Sequence, residues 1–168
     1  MLNGQKHIIL FFVLQFFSFL GISQHSASAS FTASVNIIEP ISLKNTSNMN
    51  FASVDARNGG TVTLNPDHTR TTTGDVYLDS DANVSAAIFE VRGQNGYSYN
   101  IHVPSGSFSM TNGSSEITLK DININSDDSS ITNDVQTLSL GATLEIEPGQ
   151  KPGIYTTPAP IEITVSYN

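Results

Sequence analysis

The stretch AAIFEVRGQNGYSYNIHVP, residues 86–104, contains two runs in which apolar and polar side chains alternate. The first run covers 87–92 and the second covers 97–103, on either side of Asn95 and Gly96. A period of two residues places the apolar side chains of an extended chain on one face. Asn-Gly between such runs is typical of a type I′ hairpin, because both central residues need a positive φ. The stretch therefore predicts two β-strands joined by a tight turn.

Similar alternating runs occur along the rest of the chain, and turn sequences such as NPDHT (65–69) and EPGQKPG (147–153) separate them. Beyond the first 23 residues, no window sustains apolar residues at helical spacing. About nine strands at roughly regular spacing predict an all-β fold, an antiparallel sandwich or barrel. The other runs are NMNFASV (48–54), GGTVTLNP (59–66), GDVYLDS (74–80), EITLKDININ (116–125), TLSLGATLEIEPG (137–149) and IEITVSYN (161–168).

The first part of the chain, residues 1–23, predicts a secretory signal peptide. Lys6 precedes the apolar run 8–21, which is short for a membrane span and is followed by small polar residues. Cleavage before Gln24 leaves residues 24–168 as a single β-sandwich domain; cleavage before Ser30 and an uncleaved membrane anchor are the alternatives. We therefore expect a secreted protein, in the periplasm, on the outer surface or outside the cell, with no membrane contact after cleavage.

Composition narrows the class of partner. The chain has no cysteine and a net charge of −8 at pH 7. A secreted domain without cysteine must be stabilised by burial and backbone hydrogen bonds instead of disulfides. Scattered acidic residues argue against nucleic acid and against anionic membrane surfaces, since both attract clustered Lys and Arg.

Residues that carry out chemistry form no recognisable pattern. There is no G-x-S-x-G or H-E-x-x-H motif and no thiol nucleophile. Asp79, Asp81, Asn83 and Glu90 have the spacing of a calcium loop, but Val84 stands where such a loop needs glycine. The histidines of the mature chain have no spacing that brings metal ligands together. We predict no catalytic residues, no cofactor and no metal site.

The segment SFTASVNIIEP, residues 30–40, alternates in the same way and ends at Pro40. It can form a strand of its own sandwich, which is favoured because it joins the next run without a linker. It can instead add as a strand to a neighbouring molecule, where main-chain bonds and alternate side chains make the contact. The candidates for strand addition are Phe31, Ala33, Val35 and Ile37.

A last alternating run predicts a C-terminal strand. Pro158 and Pro160 cannot donate ladder hydrogen bonds, so the beginning of this element lies at an edge or a bulge. The residues that characterise it are Gly153, Tyr155, Ile161, Ile163, Val165 and Tyr167.

Several of these stretches, taken in order, resemble the bacterial secreted family named domain of unknown function 4402. The resemblance implies an immunoglobulin-like antiparallel β-sandwich of about eight to nine strands, similar to pilin and coat-protein subunits assembled by a chaperone and an usher. It also implies that the partner is a second copy of the chain or a periplasmic chaperone. The matching stretches are residues 37–43, 49–54, 59–78, 86–104, 138–146 and 153–168.

Three classes of function remain open at this stage. A non-enzymatic structural or adhesive surface protein, pilin-like and assembled by strand addition, is favoured. A monomeric secreted module that binds a glycan or a protein, through tyrosines such as Tyr77, Tyr97 and Tyr99, is the alternative. An enzyme ranks last, because no catalytic cluster is visible.

Overall fold

The computed structural model describes residues 25–80, 83–125, 129–132 and 135–168. The predicted signal peptide, residues 1–23, lies outside the described residues. Nine β-strands and no α-helix occur in the part that is described. The strands are β1 (Ser42–Ser47), β2 (Val54–Leu64), β3 (Arg70–Leu78), β4 (Ala87–Arg92), β5 (Tyr99–His102), β6 (Phe108–Thr111), β7 (Glu116–Asn125), β8 (Val135–Ile146) and β9 (Thr164–Tyr167).

Contacts between residues divide the chain into two units, residues 1–36 and residues 37–168. All nine strands belong to the second unit. In the described part of the first unit, residues 25–36, the chain is in no strand and its side chains are exposed.

Every paired strand is antiparallel, and β8 is the central strand. One edge of β8 pairs with β7. The other edge pairs first with β4, through Val135–Leu140, and then with β2, through Ala142–Ile146. The pairs β1 with β4, β2 with β3 and β6 with β7 extend this sheet, whereas β5 and β9 form a separate two-stranded sheet. The chain is therefore an all-β antiparallel β-sandwich, as the alternating runs predict.

Two clusters of buried apolar side chains form the core, and β8 contributes to both. Leu138 and Leu140 lie in one cluster, and Ala142, Leu144 and Ile146 lie in the other. These alternate residues share one face of β8. A single strand thus carries an uninterrupted apolar row across the whole core.

The change of partner along β8 occurs at Gly141, where backbone from β2 passes close to the strand. A Cβ at Gly141 would overlap the carbonyl oxygen of Leu64 and lie 2.9 Å from the side-chain oxygen of Asn123. Only glycine leaves room for β2 and β7 to approach from both edges at this position.

Most predicted strands are confirmed, since β2, β3, β4, β5, β7, β8 and β9 all fall within or overlap the alternating runs. The turn NPDHT is also confirmed, because it joins β2 to β3 with a hydrogen bond from His68 N to Asn65 O of 3.0 Å. Residues 48–53 of the run 48–54 lie in no strand; Asn50 makes an isolated bridge to Ser85, Ala52 has φ 56°, and β2 begins at Val54. Two short strands, β1 and β6, are absent from the predicted runs.

The predicted type I′ hairpin at Asn95 and Gly96 is wrong. Gly96 has φ 82°, but Asn95 is not among the described residues with a positive φ. A turn does form, closed by Tyr97 N donating to Gln94 O at 3.2 Å. The two strands that flank it do not pair, because β4 pairs with β1 and β8 while β5 pairs with β9. The turn therefore carries the chain from one sheet to the other.

Substituting Gly141→Ala tests the crossing of β2 over β8. The added methyl group forces the two backbones apart, and overpacking of this kind costs about 1–3 kcal/mol. We expect the free energy of unfolding of chain 24–168, measured by urea denaturation, to fall by that amount. Thr137→Ala, at an exposed position of the same strand, is the control and should change stability by less than about 0.5 kcal/mol. Equal stability of both variants would contradict the crossing.

Candidate functional site

The N-terminal segment, residues 30–40, presents its apolar side chains to solvent. All of its residues are described, and none of them lies in a strand. Phe31 is 91% exposed, Val35 85% and Ile37 87%, and Ala33 is exposed as well. A row of apolar side chains held in water is characteristic of a contact surface.

The C-terminal residues alternate with the same period, but their apolar side chains are half-buried against the core. The regular strand β9 begins only at Thr164, so it is shorter than the alternation predicts. Pro158 and Pro160 precede it and supply no N–H for a ladder. The half-buried positions are Ile161, Ile163, Val165 and Tyr167.

The strand β9 is paired along one edge only. It pairs with β5, and Asn168 N donates to Ser98 O at 3.2 Å at the end of this ladder. Successive residues of an antiparallel strand direct their backbone groups to opposite edges. Val165 and Tyr167 therefore direct their N–H and C=O groups away from β5, and no described residue forms a ladder with them there. We call this second edge the open edge of β9.

Tyr167 connects the C-terminal strand to two distant parts of the backbone. Its hydroxyl donates to the carbonyl oxygen of Glu39 at 2.7 Å and accepts from the N–H of Gln94 at 2.6 Å. Glu39 N in turn donates to the side-chain oxygen of Gln94 at 3.3 Å. The three residues form what we call the tyrosine clasp. The clasp fixes the chain immediately before Pro40, where the N-terminal segment ends.

Gly93 provides the space that the clasp occupies. A Cβ at this position would overlap the hydroxyl oxygen of Tyr167 and lie 2.9 Å from Cδ1 of Ile131. The ring of Tyr97 packs edge-on against that of Tyr167, with centroids 5.6 Å apart. Gly93, before the turn, and Tyr97, after it, thus both contact Tyr167.

Gly153 and Tyr155 lie outside β9 and hold the connection between β8 and β9. The Tyr155 hydroxyl accepts from Gln150 Nε2 at 2.8 Å and donates to Lys151 O at 2.7 Å. Gly153 lies against the side chain of Asn112, just after β6. These two residues therefore stabilise a loop and do not extend the C-terminal strand.

The tyrosines considered as a ligand platform differ in exposure. Tyr99 is fully buried, so it cannot touch a ligand. Tyr97 is 38% exposed and packs on Tyr167. Tyr77, on β3, is 55% exposed, and the guanidinium of Arg57 lies 4.6 Å from its ring centroid. Tyr77 is the most exposed member of this set.

The charges around Tyr77 are paired locally. Arg57 Nε lies 3.1 Å from Asp55, and this hydrogen bond raises the pKa of Arg57. The side chain of Asn58 donates to Asp75. The charged side chains around Tyr77 therefore already have hydrogen-bond partners, and Arg57 stacks on the tyrosine ring.

An open cleft of about 600 Å³ lies beside the β2–β3 turn and the end of β3. Arg70, in its lining, donates to the carbonyl oxygens of Phe51 at 2.6 Å and Asp79 at 2.7 Å. His68 Nδ1, also in the lining, accepts from Ala86 N at 3.1 Å. Arg70 and His68 thus already bind the backbone around the cleft.

Among the residues with calcium-loop spacing, Glu90 is already held in an ion pair. Glu90 lies in β4 and is paired with Arg92 at 3.0 Å, and Asp81 lies outside the described residues. Across the described ranges, no group of three or more His, Cys, Asp or Glu side chains could hold a metal ion.

The family model described as Domain of unknown function (DUF4402) matches residues 41–167. The chain belongs to this family. The resemblance recognised in the sequence is thereby confirmed, and the match contains all nine strands of the DUF4402 sandwich while beginning after the N-terminal segment. No curated protein and no solved structure matches the chain. Within the part of this DUF4402 protein that is described, no helix has the length and apolar character needed to cross a membrane.

The sequence identified one side of the clasp and missed the other. Gly93, Tyr97 and Tyr167 stand in the stretches that carry the family resemblance. Glu39 and Gln94 also stand in those stretches, but their residue types do not mark the C=O of Glu39 or the N–H of Gln94 as partners of Tyr167, because nearly every residue type possesses these groups. Their positions are a further signal, since Glu39 precedes Pro40 and Gln94 begins the Asn-Gly turn.

Substituting Tyr167→Phe tests the clasp in this DUF4402 domain. The change removes the hydroxyl and leaves the N–H of Gln94 and the carbonyl of Glu39 without that partner. We expect the free energy of unfolding to fall by about 1–2 kcal/mol, the usual cost of an unsatisfied backbone group. Tyr77→Phe is the control, since that ring is largely exposed, and it should unfold like the unmodified chain. A Tyr167→Phe variant as stable as the control would show that the clasp does not hold the fold.

Proposed function

We propose that this chain is a secreted, non-enzymatic structural or adhesive protein of a bacterial surface, a pilin-like subunit that joins its neighbours by strand addition. The observation that carries the proposal is the exposure of Phe31, Val35 and Ile37 in one alternating row. A strand with this pattern gains stability when main-chain hydrogen bonds form along a sheet edge and its apolar side chains enter pockets. Burial of each large apolar side chain contributes about 1.5–3 kcal/mol.

The order of elements along the chain supports the same proposal. The family match begins at residue 41, and the nine strands form a sandwich without residues 30–40. The segment is uncharged from Ser30 to Ile38, so its apolar row can be buried without desolvating a charge. It is therefore suited to donation to another molecule.

Secretion and the identity of the partner are parts of this proposal. The sequence of residues 1–23 is typical of a secretory signal peptide, which directs the mature chain to the periplasm, the outer surface or the medium. The partner is a second copy of the chain, or a periplasmic chaperone that covers the apolar segment before assembly. Neither nucleic acid nor a membrane is expected as a partner.

A monomeric binding module is the second candidate, and the exposed ring of Tyr77 favours it. Aromatic rings with an accessible face are suited to stacking on sugars and on other flat, partly apolar groups. This candidate requires a stable monomer and a ligand whose binding saturates and is abolished by Tyr77→Ala.

The oligomeric state of chain 24–168 tests the first proposal. We expect multimers by light scattering after size exclusion, and we expect Val35→Asp to convert them to monomers, because a buried carboxylate in the added strand is costly. Val35 is 85% exposed, so the substitution should leave the unfolding curve of the monomer unchanged. Ile154→Asp, at a site 86% exposed on another loop, is the matched control and should still assemble.

A deletion of residues 24–36 distinguishes a segment that is donated to a neighbouring molecule from one that completes the chain's own fold. The deletion keeps Ile37 and the tyrosine clasp at Glu39. A variant that stays folded but fails to assemble supports strand donation. A variant that unfolds, or an unmodified chain that is monomeric at every concentration, would refute it in favour of a self-contained module.

A further inference from the structure

We propose that the open edge of β9 in a second copy of the chain accepts residues 30–37, with the added strand lying toward the gap between β9 and β1. This inference rests on the proposed function, since it names the acceptor surface for the same donor segment.

The backbone of β9 can pair with one more strand along its open edge. Val165 and Tyr167 direct their N–H and C=O groups away from β5, and none of the described strands pairs with them. An edge of this kind is a template for an extended chain. Such edges commonly carry a charge or a proline that prevents pairing; the strand Thr164–Tyr167 contains neither, while Pro160 and Glu162 lie before it.

Donor and acceptor rows have the same length and spacing. The donor has apolar side chains at four alternate positions from Phe31 to Ile37, and the acceptor has four from Ile161 to Tyr167. Each row covers six residue steps, or about 20 Å when fully extended at about 3.3 Å per residue, and the regular strand β9 covers Thr164–Tyr167 of the acceptor row. The donor side chains are almost fully exposed, whereas those of the acceptor are half-buried. The uncovered half of the acceptor row is the surface that an added strand would bury.

The other side of the gap is also apolar. Ile41 and Leu43, at the start of β1, are half-buried and belong to the same core cluster as Val165 and Tyr167. Among the described strands, β1 pairs with β4 and approaches β9 without pairing with it. An added strand can therefore cover incompletely buried side chains from both elements.

The strand β3 has another open edge, and its residues disfavour an apolar donor. It pairs with β2 along one edge. Arg70 and Asp75 place charges along it, and Gly74 with φ 77° interrupts the extended backbone opposite the irregular pairing of β2. Charges and irregularities of this kind are the usual protection of edge strands. The edge of β6 is bridged by Thr156. The open edge of β9 is thus the better acceptor.

Single cysteines test the acceptor directly, because the chain has none of its own. The full chain 24–168 carrying Ser34→Cys on the donor is mixed with chain carrying Thr164→Cys on β9, and a second mixture uses Thr72→Cys on β3. All three positions are exposed, so each variant should fold. A disulfide forms readily only when the two Cα atoms come within about 7 Å.

We expect the mixed disulfide between Ser34→Cys and Thr164→Cys to exceed that with Thr72→Cys by about tenfold, because only the first pair meets the geometry of the bond. Mass spectrometry of the non-reduced dimer gives the ratio. Thr32→Cys and Asn36→Cys as donors, and Ser166→Cys as acceptor, cover a shift in register. The donor position that reacts best with each acceptor gives the relative direction of the two strands.

Other outcomes separate the acceptor from the proposed function. Multimers that cross-link to Thr72→Cys, or to neither edge at any donor position, would overturn the β9 acceptor and leave strand addition standing. A double variant, Ser34→Cys with Thr164→Cys, that closes only within one monomer would overturn both, since the segment would then complete its own fold.

Discussion

Backbone pairing on both edges of β8 is the constraint on which the rest of the sandwich depends. One edge meets β7 while the other passes from β4 to β2 at Gly141, so a single strand holds together elements from both ends of the sheet. Its alternate residues from Leu138 to Ile146 form one apolar row that belongs to both core clusters. Between Ser139 and Glu145, β8 has a strand on each edge, so this part of the strand uses its backbone groups within the sheet. The edges that remain for interaction are therefore those of the outer strands.

The outer strands differ in how they manage their edges. On β3, charged residues and an irregular register make a further pairing unfavourable. The strand β9 carries no charge along its open edge, and its apolar side chains Val165 and Tyr167 are only half-buried. The tyrosine clasp fixes the nearby chain at Glu39. A contact between the N-terminal segment of one subunit and the β9 edge of another would use two different surfaces of the same chain. Repetition of a contact of this type gives an open chain of subunits unless the rotation happens to close a ring.

The alternating sequence predicts the class of the fold well because the period of two is a local property of each strand. It correctly predicts seven of the strands and the turn at residues 65–69. Pairing is not local: the Asn-Gly turn after β4 looks like a hairpin, yet its two strands have partners far away in sequence. The strand β1 was missed because it is short and mostly polar. For the candidate site, alternation identified both apolar rows, whereas the clasp depends on backbone groups that residue identity does not reveal.

The clasp joins residues 128 positions apart in sequence, from Glu39 to Tyr167. Closing so long a loop costs conformational entropy before any contact compensates for it. Folds dominated by contacts of this range form slowly. Until Tyr167 is in place, the chain at Glu39 lacks this attachment, and the exposed apolar residues that precede it favour aggregation of incompletely folded chains. The sequence range of this contact therefore makes the rate of folding a determinant of yield.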